Sequence, residues 1–147
     1  AAVLETARGG ILREGLGFDK CDVAIVTNID AADHLGDYDL HTPEDMFKVK
    51  RCPVDVVLPQ GAAVLNARDP LVAKMADLST GGVIFFGLSP EHPVLEAQRA
   101  KGERVVFVRE RNVILSRGLQ ETPLIDLASV PCTHGGRVPF QIENVLA

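Results

Sequence analysis

The stretch CDVAIVTNIDAADHLG, residues 21–36, carries the pattern that decides the fold. Its first six residues, 21–26, form a short apolar run rich in branched side chains, which is typical of a strand covered on both faces of a parallel sheet. Asp33 and His34 follow on the loop that leaves the carboxyl end of this strand, where open α/β sheets bind their ligands. An imidazole beside a carboxylate can bind a divalent metal or a phosphate-bound magnesium ion. The alternative is that Asp33 caps a turn and His34 is merely exposed.

Further strands and helices follow this first strand in an order typical of an α/β protein. Residues 1–102 are expected to alternate parallel strands with helices, and residues 103–147 to form an antiparallel meander and the start of a last helix. The expected fold is a largely parallel sheet with flanking helices plus a small antiparallel sheet. The predicted strands are 2–5, 22–27, 62–66, 83–86, 104–108, 112–116 and 122–127, and the predicted helices before the last one are 42–50, 70–78 and 93–100.

The helix predicted over residues 42–50 has the clearest boundaries. Thr42 is a good N-cap, Pro43 suits the first helical position, and Asp45 completes a pattern like a capping box. Pro53 has no amide hydrogen to donate, so it should end or kink this helix.

Composition and charge exclude several classes of function. The net charge of −5 and the lack of a basic run argue against a nonspecific nucleic-acid binder. No apolar run reaches the length of a membrane helix and the sequence shows no signal peptide, which predicts a cytoplasmic protein with no membrane partner. The cysteines, Cys21, Cys52 and Cys132, are odd in number and lack metal-site spacing, so we expect reduced thiols.

Several separated motifs together resemble the central, ATP-binding domain of the Mur ligase superfamily. They are LETARGGILREGL (4–16), TNIDAADHLG (27–36), VKR (49–51), AVLNARDP (63–70) and THGGRVPFQIENVLA (133–147). The resemblance implies an ATP-dependent ligase that converts a carboxylate into an acyl phosphate and then joins it to an amino acid, with ATP and magnesium as cofactors. These motifs most resemble those of one branch of the superfamily, whose members join arginine to the aspartate side chains of a polypeptide acceptor.

The resemblance also implies roles for five residues. Glu5 and His34 match the family residues that help to hold magnesium. Lys50, sixteen residues after His34, matches a helix lysine that is carbamylated and so becomes an extra carboxylate near the metal. Asn144 matches an amide that contacts the nucleotide, and Gln141 stands where many members carry Asn. The simpler alternatives are that Glu5 is a solvated carboxylate beside a glycine turn and that Lys50 is an ordinary surface lysine.

Two other motifs leave their roles open. His134 and Arg137 flank a glycine turn, and each can face ATP or substrate or simply belong to that turn. Arg68 stands where the family's usual Asn-x-Asp-Asp pattern has its first carboxylate. Any role of that carboxylate in the family is therefore not carried over to this chain. Asp69 is explained adequately as the N-cap of a helix that begins at Pro70.

The chain is expected to be a fragment, residues 1–147, of the central domain of a larger ligase, and to be catalytically silent alone. It contains no Gly-x-x-x-x-Gly-Lys-Ser/Thr loop, and it begins inside a predicted strand. Two alternatives stay open, namely another Mur-type ligase that acts on peptidoglycan or folate, and a noncatalytic α/β module that binds a protein partner. The sequence also leaves open the acceptor and whether the full-length protein is a homo-oligomer.

Overall fold

The computed structural model describes residues 1–29, 36 and 38–147. These residues form the strands β1 (Cys21–Val26), β2 (Val57–Asn66), β3 (Gly82–Gly87), β4 (Arg104–Arg109), β5 (Asn112–Arg117) and β6 (Gln120–Asp126). The helices are α1 (Arg8–Glu14), α2 (Pro43–Lys50), α3 (Cys52–Asp55), α4 (Pro70–Lys74), α5 (Pro93–Ala100) and α6 (Pro139–Leu146), and 3₁₀ turns cover Met75–Leu78, Leu127–Ser129 and Pro131–Thr133. No helix in these described ranges is long and apolar enough to cross a membrane.

The strands form one six-stranded mixed sheet in the order β1-β2-β3-β4-β5-β6. Strands β1 to β4 are parallel, whereas β5 and β6 continue from β4 as an antiparallel meander. The mixed α/β fold class is therefore confirmed. The expected small antiparallel sheet is not separate, because β4 pairs with β3 on one side and with β5 on the other.

The two faces of the sheet carry different helices, and the side chains of the central strands alternate between them. Leu65 and Phe85 point into one core, together with side chains from α2, α3, α4 and α5. Val64 and Phe86 point into a second, smaller core, which Leu146 of α6 covers from the opposite face. The last helix is thus separated from α2 by the sheet.

Residues 2–5 do not form the predicted strand. Val3 is fully exposed and Leu4 is 63% exposed, and neither joins the sheet, in which β1 is an edge strand. A segment without a neighbouring strand has no partner for the backbone hydrogen bonds of a sheet, so its apolar residues alone do not make it a strand.

Helix α1 was not predicted, because Gly9 and Gly10 are poor helix formers that suggested a turn. Two contacts offset this cost. Ile11 packs against the larger core, and Arg13 Nε donates a hydrogen bond to the Gly9 carbonyl oxygen at 3.0 Å. The chain is therefore helical from Arg8 to Glu14.

Strand β2 begins five residues earlier than predicted, and Gly61 lies inside it instead of before it. A Cβ atom at Gly61 would lie 2.1 Å from the carbonyl oxygen of Asp22, so only glycine allows β1 to approach this closely. The register between β1 and β2 shifts at the same place, between Cys21 and Val23. Beyond this irregularity, the carboxyl halves of the two strands pair in regular register. The site described below lies at that end of β1.

The predicted boundaries of α2 are confirmed. Thr42 Oγ1 accepts a hydrogen bond from the Asp45 amide at 3.1 Å, and Asp45 Oδ2 accepts one from the Thr42 amide at 3.2 Å, which completes the capping box. The hydrogen bonds from Thr42, from Lys48 and from the His41 amide lower the pKa of Asp45 to about 2. The helix ends at Lys50, and Pro53 lies in the first turn of α3.

Candidate functional site

A cavity of ≈500 Å³ lies at the carboxyl end of β1. Its walls come from the segment that precedes α1, from the last residues of β1, and from the end of α2. Glu5, Arg8, Asn28 and Lys50 contribute polar groups to its lining, while Ile11 and Ile25 contribute apolar ones. The edge of a parallel sheet at which ligands bind therefore carries a cavity with both acidic and basic side chains.

Lys50 is placed in this cavity by the end of α2. Its Nζ atom donates a hydrogen bond to the backbone carbonyl oxygen of Asn28 at 2.8 Å. Val49, the preceding residue, is buried in the core, which fixes the orientation of the last helical turn. Lys48 lies on another face of the helix, where it pairs with Asp45 and is 71% exposed.

The structure brings two of the three predicted metal-site residues to one cavity. Glu5 and Lys50 both line it, whereas His34 lies outside the described residues. Among the residues that are described, no group of three or more His, Cys, Asp and Glu side chains is arranged to hold a metal ion. The described part of the predicted set thus consists of one carboxylate and one amine.

The backbone that leaves β1 is held by one side chain from the last residue of β2 and one that follows this strand. Asn66 Nδ2 donates a hydrogen bond to the Thr27 carbonyl oxygen at 2.8 Å, and the Ile29 amide donates one to Asp69 Oδ2 at 2.6 Å. Neither contact was predicted, since each joins residues about forty positions apart. The available signal was an amide at the carboxyl end of a strand that neighbours β1, with a carboxylate three residues later.

Asp69 also caps α4, as expected. Its Oδ1 atom accepts hydrogen bonds from the amides of Leu71 at 2.9 Å and Val72 at 3.1 Å, and Pro70 occupies the first turn. One carboxylate oxygen of Asp69 therefore caps α4, while the other binds the Ile29 amide.

Asn144 and Gln141 do not line the cavity of Glu5 and Lys50. Both lie on α6, where Asn144 Nδ2 is 3.5 Å from Gln141 Oε1. Glu143 on the same helix pairs with Arg68 at 2.8 Å, so the arginine that replaces the usual carboxylate reaches α6. The amides thus lie on the face of the sheet opposite α2, and their nucleotide role stays a prediction.

The glycine turn before α6 is built around Thr133. This buried side chain donates to the Leu127 carbonyl oxygen at 2.8 Å and accepts from the Gly136 amide at 3.1 Å. His134 has a left-handed backbone with φ 48°, and Gly135 continues in the same region with φ 73°. The conformation of His134 is therefore that of a turn residue, and this turn does not contribute to the cavity lining.

Two of the cysteines lie in surroundings that disfavour the thiolate form. Burial raises the pKa of the Cys21 thiol, and burial also raises that of Cys52. All three cysteines are free, as expected.

Sequence comparison with known proteins assigns the chain to a family. The whole chain, residues 1–147, matches the Mur ligase middle domain. The chain belongs to the Mur ligase middle-domain family. It is 47% identical over 146 residues to cyanophycin synthetase from Synechocystis sp. and 44% identical over 146 residues to cyanophycin synthetase from Crocosphaera subtropica. Each of these matches covers 99% of this chain.

The chain spans only 17% of the length of each of those two relatives. It is also 34% identical over 130 residues to UDP-N-acetylmuramoylalanine--D-glutamate ligase from Symbiobacterium thermophilum, a match that covers 85% of this chain and 24% of that protein. Among solved structures, MurF from Acinetobacter baumannii shares 20% identity with a TM-score of 0.46 over 86% of this chain and 26% of that one.

Proposed function

We propose that this chain forms part of the ATP-binding domain of a cyanophycin synthetase, which joins arginine to aspartate side chains with ATP and magnesium. The sequence support is the high identity to proteins of that name across 99% of the chain. The structural observation that carries the proposal is the shared cavity of Glu5 and Lys50 at the carboxyl end of β1. An acidic side chain and a lysine at this edge suit a phosphoryl-transfer site.

The proposed reaction has two steps. A carboxylate oxygen of the acceptor attacks the γ-phosphorus of ATP, which forms an acyl phosphate and releases ADP. The neutral amine of arginine then attacks the acyl carbon, phosphate leaves with the bonding electron pair, and the nitrogen loses a proton. Negative oxygens accumulate during the first step, and magnesium supplies the positive charge that offsets them.

The donor set of the cavity fits magnesium if Lys50 is carbamylated. Magnesium prefers oxygen ligands and usually takes one or two carboxylates besides waters and phosphates. An ammonium at Lys50 would repel the ion, whereas a carbamate would add carboxylate oxygens in the cavity that Glu5 lines. His34 is proposed as a further ligand from the family match.

Carbamylation is compatible with the contact that Lys50 makes. The neutral amine adds to the carbon of CO₂, a nitrogen–carbon bond forms, and one proton is released. The carbamate nitrogen keeps a single N–H, which can still donate to the Asn28 carbonyl oxygen, the partner of Lys50 in this structure. The new carboxylate can then extend toward the cavity without breaking this hydrogen bond.

The nucleotide is proposed to contact α6. Asn144 and Gln141 carry amides with both donor and acceptor atoms, which suits the edge of an adenine ring. We place the protein in the cytoplasm, where ATP and free amino acids are available. We propose that catalysis also requires the other parts of a longer ligase, so the 147 residues alone should show no arginine-dependent ATP turnover.

The proposal is tested by Lys50→Ala in the full-length ligase. Turnover should fall about 10²-fold or more, because the lost charge stabilises phosphoryl transfer, while the KM for ATP should change little. Formate or another small acid should restore part of the activity by supplying the missing carboxylate. Activity is measured as arginine-dependent ADP release.

Lys48→Ala is the matched control, since Lys48 lies on the same helix but on its exposed side. This variant should keep nearly full turnover. Near-normal turnover in Lys50→Ala would show that Lys50 is an ordinary helix lysine.

A further inference from the structure

Three consecutive residues at the end of β1 are each bound through their backbone by a side chain from another element. Thr27 is bound through its carbonyl oxygen by Asn66 and Ile29 through its amide by Asp69, at 2.8 and 2.6 Å. Between them, the Asn28 carbonyl oxygen accepts the hydrogen bond from Lys50. The acceptor of Lys50 is therefore the middle of a segment fixed on both sides.

Asn66 and Asp69 divide their side-chain atoms between a local turn and this segment. The Oδ1 atom of Asn66 accepts from the Arg68 amide at 2.9 Å, and the Oδ1 atom of Asp69 caps α4. The second polar atom of each side chain binds the segment of residues 27–29 that follows β1. A residue needed only for the local turn requires one acceptor, which Asn and Asp both supply.

The chemical identity of each residue is determined by its distant partner. A carbonyl oxygen at Thr27 requires a donor, which Asn66 supplies, while an N–H at Ile29 requires an acceptor, which Asp69 supplies. Asn66 is only 4% exposed, so a mismatch there would not be relieved by water. The amide and the carboxylate are therefore not interchangeable.

We propose that Asn66 and Asp69 are positioning residues, which hold the Asn28 carbonyl oxygen against Lys50 and thereby fix the Lys50 nitrogen in the cavity. A lysine has a long side chain with many rotamers, so a fixed acceptor selects one of them. Neither residue lines the cavity itself; both act through the backbone of residues 27–29. The expected effect on catalysis rests on the proposed function, whereas the effect on Lys50 does not.

Two nearly isosteric substitutions test this role. Asn66→Asp keeps the acceptor for the Arg68 amide but places a carboxylate oxygen against the Thr27 carbonyl. Asp69→Asn keeps the helix cap, for which Asn is as good as Asp, but places an amide NH₂ against the Ile29 N–H. Each variant therefore retains its own turn and loses its contact with β1. Arg68→Gln is the control, because Arg68 lies between the two and its side chain pairs with Glu143 instead.

The first measurement uses the 147-residue chain. It records the NMR chemical shifts of the Lys50 Cε and Nζ atoms and the hydrogen-exchange rate of the Ile29 amide. Both substitutions should shift the Lys50 signals, and Asp69→Asn should raise the Ile29 exchange rate about tenfold or more. Arg68→Gln should change neither. Unchanged Lys50 signals in both folded variants would overturn the proposal, and if Asn66→Asp does not fold, Asp69→Asn decides.

The second measurement is the turnover of the full-length ligase. Each substitution should lower kcat on the order of 10- to 100-fold with little change in the KM for ATP, because misplacement of a catalytic group by about 1 Å has effects of this size. A merely structural role would reduce the folded fraction but not kcat per folded molecule. Shifted Lys50 signals with normal kcat would contradict the catalytic role of Lys50 and leave the positioning of its side chain supported. Reduced kcat with unchanged Lys50 signals would instead contradict the positioning.

Discussion

Polar side chains bind to different kinds of partner at the carboxyl end of β1 and in the meander of β4, β5 and β6. At the end of β1, Asn66 and Asp69 bind backbone groups of a neighbouring loop. In the meander, Glu121 of β6 pairs with Arg109 of β4 and with Arg99 of the neighbouring helix α5, so these side chains bind one another. Backbone contacts fix the path of the chain, whereas ion pairs between partly exposed side chains contribute little to stability.

The meander is held mainly by the apolar side chains that it contributes to the larger core. Phe107 on β4 is fully buried, and the guanidinium groups of Arg99 and Arg109 lie over its ring, with Cζ 5.2 and 5.3 Å from the centroid. Polar side chains thus hold a backbone segment in place at the end of β1, whereas in the meander they cover an aromatic ring. Substitutions in the meander should thus change stability without a selective effect on the cavity.

Phe107→Ala should give the largest loss of stability. Removal of this buried ring leaves a cavity in the core, which costs about 3–5 kcal/mol in the free energy of unfolding. Phe140→Ala is the control, because Phe140 on α6 is 64% exposed. Urea unfolding of both variants measures the difference, and similar losses would contradict the assignment of Phe107 to the core.

Thr42→Ala should have a smaller effect, at the helix that carries Lys50. Loss of the N-cap side chain costs about 1 kcal/mol in the free energy of unfolding. The same change should raise the pKa of Asp45 from about 2 toward its ordinary value of 3.8, because the hydrogen bond from Thr42 is the largest cause of the shift. An NMR titration of the Asp45 carboxylate checks this expectation.

The sign of the resulting pH dependence follows from the direction of that shift. The folded-state pKa of Asp45 is lowered, so its contribution to stability is present above about pH 4 and is lost as the pH falls through about 2. In Thr42→Ala, this loss of stability should shrink. An equally large acid-dependent loss in the variant would show that other carboxylates cause it.

The elements that could be predicted from the sequence are those set by local patterns. Thr42, Pro43 and Asp45 lie within one helical turn, so the cap of α2 was predictable. The alternation of Val64 and Leu65 between two cores likewise follows from the two-residue period of a strand. These signals do not depend on any residue far along the chain.

The remaining features depend on contacts between distant parts of the chain. Residues 2–4 are apolar like those of a buried strand, but strand formation requires a neighbouring strand, which sequence periodicity does not reveal. The contacts of Asn66 and Asp69 with residues 27–29 require the register of β1 against β2, and that register shifts near Gly61. The placement of Glu5 and Lys50 at one cavity was expected from family resemblance, not from any local pattern.

Arg111→Ala should have the smallest effect and so sharpens the comparison. Arg111 pairs with Asp126 at 2.9 Å, but their side chains are 65% and 46% exposed, so the free energy of unfolding should change by no more than about 0.5 kcal/mol. The pKa of Asp126 should stay below its ordinary value in this variant, because the hydrogen bond from the Ala128 amide is the largest cause of its shift and that from Arg111 comes second. Urea unfolding and an NMR titration of Asp126 measure the two quantities. A return of the pKa to its ordinary value would show that the ion pair with Arg111, and not the hydrogen bond from the Ala128 amide, is the main cause of the shift.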